Sequence, residues 1–104
     1  MKIKIDRATA DHTRAIISYG LHATHGNILI SAMLHEQLCP FTDKLHNPWS
    51  RKTKVFNVSA TLAACLHTVY KCAEGVTTGE ASQLVMLEYV IKPLVKQIQQ
   101  LKYS

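Results

Sequence analysis

The sequence has little glycine: four residues in a chain of 104, none of them clustered. A phosphate-binding loop needs closely spaced glycines so that the backbone can approach the ligand, and no such motif is present. The chain also lacks a Gly-x-Ser-x-Gly nucleophile elbow and a paired-carboxylate arrangement. These absences argue against a nucleotide-binding protein and against common hydrolase classes, and we expect neither an enzyme nor a bound cofactor.

Cysteine and long apolar runs are scarce as well. Cys39, Cys65 and Cys72 are an odd number without Cys-x-x-Cys spacing, which fits free thiols in a reducing compartment better than a disulfide framework. A membrane-spanning helix needs roughly 20 consecutive apolar residues, and no such run occurs. The opening residues 1–6 are too short and too interrupted for a signal peptide. We therefore expect a cytoplasmic protein that does not enter a membrane.

What the chain does contain is enough apolar content, 47%, for one core. Its formal charge is +5, and residues 1–54 carry eight Lys or Arg against four Asp or Glu, so the first half holds most of the excess. Such an excess permits contact with nucleic acid or with an acidic protein surface. We predict a single domain over residues 1–104.

Periodicity predicts a mostly α-helical fold, a compact bundle of four to five helices with a short N-terminal strand. The helices are expected at residues 9–24, 28–38, 59–73 and 77–103, the first beginning near Thr9 or Asp11. For residues 28–38 the alternative is a buried strand that begins with Ile28, Leu29 and Ile30. Residues 2–5 alternate Lys and Ile as a half-buried strand does. Residues 54–58 are the best internal partner for it, which would make the fold α+β, and the same strand of a second subunit is the alternative.

The last predicted helix carries an apolar seam at alternating spacings of three and four. The seam consists of Leu84, Leu87, Ile91, Leu94, Ile98 and Leu101. Residues 84–91 are apolar at almost every position, so we expect this part to be buried on most sides. Pro93 lacks an N–H for the carbonyl of Tyr89, which predicts a kink or break near residues 88–93. Beyond Pro93 the helix should be a thinner arm available to a partner.

The least regular segment is 39–54, with two prolines, the only tryptophan and several cations. We expect residues 41–54 to be a basic aromatic loop that contacts a partner through its cations and rings. The alternative is that Trp49 packs onto the domain and the cations are solvated. The predicted partner-binding residues, including two lysines of the last helix, are Phe41, Lys44, Trp49, Arg51, Lys52, Lys54, Lys92 and Lys96.

Other patterns give weaker functional hypotheses. His22 and His25 share a helical face, and His35-Glu36 begins a His-Glu-x-x-His pattern in which Cys39 replaces the second histidine, so no metal site is predicted. The run 5–11 resembles the first strand and helix of GNAT-family acetyltransferases, but the glycine-rich pyrophosphate loop of that family is absent.

Two DNA-binding arrangements are alternatives to a protein-binding role. Residues 66–86, with Gly75 at the turn, resemble a helix-turn-helix. A ribbon-helix-helix would instead use Lys2 and Lys4 on a strand shared between two subunits, because a strand pair can enter the major groove.

Taken together, the sequence predicts a small non-enzymatic interaction or regulatory protein of inhibitor or adaptor type, such as a phage or mobile-element accessory protein. Its partner is expected to be a protein, bound through the basic aromatic loop and the C-terminal helix. A homodimer through residues 92–103 or the N-terminal strand is compatible with this interpretation. A small DNA-binding regulator is the alternative, and a metal-binding protein or enzyme ranks last.

Overall fold

The fold is mostly α-helical with one short antiparallel sheet, as the periodicity predicts. A computed structural model describes residues 1–24, 26–46, 49, 52–74 and 80–103, with side chains of the C-terminal helix described as far as Gln100. The elements are β1 (Lys2–Asp6), α1 (Arg7–Ala23), α2 (Ile28–His46), β2 (Thr53–Asn57), α3 (Ala60–Glu74), α4 (Glu80–Met86), a π-helical turn (Leu87–Ile91) and α5 (Lys92–Tyr103). Helix α1 packs mainly against α3, α4 and α2.

The two strands pair within the chain, with Lys2 opposite Asn57 and Asp6 opposite Thr53. Ile3 and Ile5 are buried while Lys2 and Lys4 are exposed, so the alternation predicted from the sequence is confirmed. The internal partner predicted for the first strand is therefore the one found, displaced by one residue toward the N-terminus. Val58 follows β2, stays buried, and donates its N–H to the Met1 carbonyl at 2.7 Å.

Helix α1 begins two residues earlier than predicted because Asp6 supplies the cap. Its carboxylate accepts the Thr9 N–H at 2.6 Å, which satisfies one of the free donors of the first turn. That hydrogen bond also lowers the pKa of Asp6 below its ordinary value, since it favours the charged carboxylate. Strand and helix thus join without a loop.

Gly20 lies in the last turn of α1, where this helix packs against Val69 of α3. A Cβ placed there would lie 2.4 Å from the Val69 carbonyl oxygen and 2.5 Å from Val69 Cγ2. From propensity alone this glycine weakens the helix prediction. In the fold it is what allows the two helices to pack at this distance.

Helix α2 is longer than the predicted 28–38 and continues through Pro40 to His46, which corrects the expectation that residues 41–54 form one loop. Pro40 cannot donate to the Glu36 carbonyl, at an interior cost of about 3 kcal/mol. Burial of Phe41 and Leu45 offsets this, at about 1.5–3 kcal/mol for each side chain. Pro40 and Glu36 are exposed, so water can bond the freed carbonyl.

Helix α3 matches its prediction closely. The Ser59 hydroxyl accepts the Leu62 N–H at 3.0 Å, and Leu66, Val69 and Ala73 are buried along one stripe. Gly75, the turn residue of the helix-turn-helix alternative, lies outside the described residues.

The C-terminal helix departs from α geometry where Pro93 predicts a disturbance. The departure is a π-helical turn over Leu87–Ile91, in which the Lys92 N–H donates to the Leu87 carbonyl, five residues back. It is therefore an extra residue within a continuing helix rather than a break.

This extra residue changes which side chains face the core. Ahead of the turn, Gln83 and Met86 are buried and Leu84 is 58% exposed, and within the turn Tyr89 is 62% exposed. The expectation that residues 84–91 are buried on most sides is wrong, because one inserted residue rotates the following helix by about 100° relative to the preceding one. From Ile91 and Leu94 onward the predicted seam faces the core again, and Ile98 packs against its edge.

Candidate functional site

The aromatic residues predicted to contact a partner are packed into the protein. Phe41 is 3% exposed, and its ring centroid lies 5.5 Å from that of Phe56 in an edge-to-face arrangement. Trp49 is half-buried, and its ring centroid lies 5.9 Å from that of Phe56. The Arg7 guanidinium holds the backbone at this point by donating to the Trp49 carbonyl at 3.0 Å. Of the two interpretations of Trp49, packing onto the domain is the one found.

The cations of the same segment remain on the surface. Lys44, Lys52 and Lys54 are exposed, and Arg51 lies outside the described residues. Lys54 Nζ lies 5.4 Å from the Phe56 ring centroid, a cation–π distance that holds the ammonium group beside the strand. The predicted basic aromatic surface therefore keeps its exposed lysines, whereas its aromatic side chains pack in or against the hydrophobic core.

Pairing of the two strands collects cations that are far apart in sequence. We call this surface the basic ribbon; it comprises the outward side chains of β1 and β2 together with Lys52, which precedes β2. Its exposed members are Lys2, Lys4, Lys52, Thr53, Val55 and Asn57. Lys54 lies opposite Ile5 in the register, so it extends from the other face of the sheet. The sequence predicts both strands and both groups of lysines, but the single surface follows only once the antiparallel register is known.

A second surface, the α3–α5 groove, lies between the exposed side of α3 and the start of α5. It encloses about 370 Å³, at the lower end of the ~300–1,000 Å³ range of ligand pockets. Its apolar lining is Ala63, Ala64, Ile91, Leu94, Val95 and Ile98. Ala63 and Ala64 contribute only methyl groups to the α3 wall, which leaves this side of the groove shallow.

The polar residues along the groove do not converge on a point inside it. His67, Thr68 and Gln99 are exposed on its walls. The Thr68 hydroxyl already donates to the Ala64 carbonyl at 2.9 Å, so it is engaged within its own helix. This arrangement offers apolar contact along a line rather than a polar cradle for a small molecule.

Charge beside the groove is positive on the α5 side. Lys92 and Lys96 are exposed, and Lys92 forms an ion pair with Glu88 one turn earlier. Residues 92–103 contain no Asp or Glu, so α5 has no acidic side chain. On α3, Lys71 pairs with Glu74 at 3.4 Å. An acidic partner would therefore be favoured along α5.

Neither the cysteines nor the histidines form a cluster suited to metal within the described residues. Cys39 Sγ lies 3.8 Å from His35 Nδ1, and no group of three His, Cys, Asp or Glu side chains comes together in that part of the chain. Cys65 is buried in the core, which raises the pKa of its thiol. His12 Nδ1 lies 3.0 Å from Ser82 Oγ and links α1 to α4. His25, the second member of the predicted histidine pair, lies outside the described residues.

Some helix-packing residues could not have been found from apolar periodicity. Gln83 is buried, and its amide donates to the Ala73 carbonyl at 3.2 Å, which fixes α4 to the end of α3. Gln97 donates to the Lys2 carbonyl at 2.8 Å and accepts the Lys2 N–H at 3.2 Å, so α5 binds the first strand. Both contacts belong to polar side chains that carry no sequence signature.

Among the described residues, no helix is both long enough and apolar enough to cross a membrane. Comparison of the chain with protein families, with curated proteins and with solved structures finds no match.

Proposed function

We propose that this chain is a small non-enzymatic binding protein of adaptor or inhibitor type, whose α3–α5 groove holds an amphipathic helix of a protein partner. The observation that carries the proposal is the open apolar groove bordered by the lysines of α5. Helix-in-groove recognition uses apolar side chains at positions i, i+3 or i+4, and i+7 of the bound helix. A groove lined along two helices is suited to such a row.

The chemistry of the partner follows from the lining and the charge. Ala63 and Ala64 leave room on α3 for large side chains from the partner, and Val95 and Ile98 supply the facing wall. Lys92 and Lys96 favour acidic residues beside the apolar row of the partner. The partner segment is therefore an acidic amphipathic helix, and the two lysines keep the binding role predicted for them.

A photo-crosslinking residue at Gln99 tests this proposal, because Gln99 lies on the groove wall and is exposed. The control carries the same residue at Ala32, an exposed position on α2 away from the groove. After irradiation in a lysate of the native cells, the crosslinked segments are sequenced. We expect the Gln99 position, and not the Ala32 position, to capture an acidic segment with apolar residues at helical spacing.

Two outcomes would contradict the proposal. Capture of this chain by itself from the Gln99 position would make the groove a homodimer contact. Equal capture of the same proteins from both positions would show that the groove does not select a partner.

A further inference from the structure

The basic ribbon carries an excess of cations that takes no part in the proposed binding at the groove. Residues 1–7 and 52–59 contain five cations, Lys2, Lys4, Arg7, Lys52 and Lys54, against the single carboxylate of Asp6. Asp6 is engaged as the cap of α1, and Arg7 donates to the Trp49 carbonyl. The four lysines are exposed.

Main-chain pairing at the start of β1 is already complete on both sides. The Lys2 peptide is bonded to the Gln97 side chain by two hydrogen bonds, while β2 pairs along the other edge. This arrangement leaves no room at Lys2 for an added strand from another chain. Recognition there must use side chains on the outward face.

The outward face carries the side-chain types that read base edges in the major groove. A Lys side chain donates hydrogen bonds to guanine, and an Asn side chain forms two hydrogen bonds with adenine. A Thr hydroxyl can donate or accept, and an apolar side chain contacts the thymine methyl group. In the strand register, Lys4 lies opposite Val55 and Lys2 lies opposite Asn57, with Thr53 at the end of the same face. A two-stranded antiparallel ribbon has the width that the major groove of B-form DNA admits.

We propose that the basic ribbon binds B-form duplex DNA, with the outward side chains of β1 and β2 in the major groove and the lysines contacting phosphates. An acidic protein surface is the competing partner, but it would need neither Asn57 nor Thr53. Single-stranded nucleic acid is disfavoured because the nearby rings of Trp49 and Phe56 pack against each other instead of offering a stacking face. Both strands come from one chain, so a single copy presents a complete ribbon.

The test measures fluorescence anisotropy of a labelled duplex DNA against the full chain at several salt concentrations. The ribbon variant carries Lys2→Gln and Lys4→Gln. The control carries Lys44→Gln and Lys71→Gln, which removes the same charge from exposed residues outside the ribbon and the groove. Far-UV circular dichroism confirms that each variant is folded.

The wild-type chain should bind at low salt, with affinity that falls as salt rises. The ribbon variant should bind about tenfold more weakly or worse, and its salt slope should fall by about 2, since each lost phosphate contact removes about 0.9. The control should stay within about threefold of wild type, because it loses only long-range attraction.

Several results would overturn the proposal. One is the absence of duplex binding at low salt, and another is equal weakening by both double variants. Competition by polyglutamate as effective as that of DNA, at matched charge, would assign the ribbon to an acidic protein. Equal affinity for duplex RNA would exclude reading in the major groove, because that groove is deep and narrow in A-form helices.

Discussion

Asp6 joins the strand to the first helix, and its charge should be measurable in stability. Its pKa is lowered in the folded protein by the Thr9 N–H, so the carboxylate stabilises the fold above its unfolded pKa of about 3.9. That contribution to stability is lost as the pH falls through the lowered pKa of Asp6 in the folded protein. The effect belongs to one residue and can be separated by substitution.

We expect Asp6→Ala to lower the free energy of unfolding by about 0.5–2 kcal/mol at neutral pH, since alanine cannot cap the helix. Asp6→Asn keeps a capping side chain and should cost less. Urea denaturation at pH 7 and at pH 3 measures both variants. The Asn variant should lose less stability than wild type between these two values, and an identical loss would show that the carboxylate charge has no role.

Gly20 and Gly26 provide a matched pair for the contact between α1 and α3. Gly20→Ala should destabilise by about 1–3 kcal/mol, because the added methyl group overlaps Val69. This outweighs the gain of about 1 kcal/mol that alanine brings to a helix. Gly26→Ala meets nothing within 4 Å and should be neutral or slightly stabilising. Equal stability of the two variants in urea would mean that the helices are not packed as closely as described.

At the scale of elements, the π-helical turn decides which leucines of the C-terminal helix are structural. By spacing alone, Leu84 and Leu94 are equivalent positions of the apolar seam. In the fold, Leu94 is 1% exposed whereas Leu84 lies mostly in solvent. The two residues therefore distinguish the sequence pattern from the observed packing.

We expect Leu94→Ala to cost about 2–5 kcal/mol in the free energy of unfolding, the range of buried leucine truncations. Leu84→Ala should change it by about 0.5 kcal/mol or less, as surface substitutions do. Thermal and urea denaturation measure the difference. Similar costs at the two positions would indicate one uninterrupted α-helix without the π turn.

The sequence predicts elements well where local signals agree. Ser59 and the stripe of α3 locate that helix, and the alternating Lys2–Ile5 segment locates the first strand and its partner. Prediction failed where a strong local signal competed with burial that depends on the whole fold. Pro40 argued for a loop, yet Phe41 and Leu45 fill the core and keep α2 helical through it.

The candidate surfaces were predictable only in part, for the same reason. The exposed lysines, including Lys92 and Lys96, are visible in composition and spacing. The placement of Phe41 and Trp49 depends on their contacts with Phe56, which follows them by 15 and seven residues in the sequence. These are tertiary contacts that no periodicity in the sequence indicates. The groove depends on how α5 continues after the π turn, which no spacing in the sequence specifies.

For the molecule as a whole, α5 takes part in both proposed binding surfaces. Its Leu94 and Val95 line the groove, and its Gln97 holds the Lys2 peptide of the ribbon. The arm beyond Pro93 is thus packed onto the body at Leu94, rather than being wholly available to a partner. The two surfaces can act separately because they use different side chains, and one helix supports both.

The most direct test of the proposed function fills the groove and measures affinity for the partner segment identified by crosslinking. Ala64→Trp places a large ring in the groove, and Ala32→Trp makes the same change on an exposed part of α2. Amide shifts in a nuclear magnetic resonance titration report where a synthetic peptide of that segment binds. We predict shifts concentrated at residues 63–68 and 91–99, with binding about tenfold weaker or worse for Ala64→Trp and unchanged for Ala32→Trp. Unchanged affinity in Ala64→Trp, or shifts centred on another surface, would contradict the account.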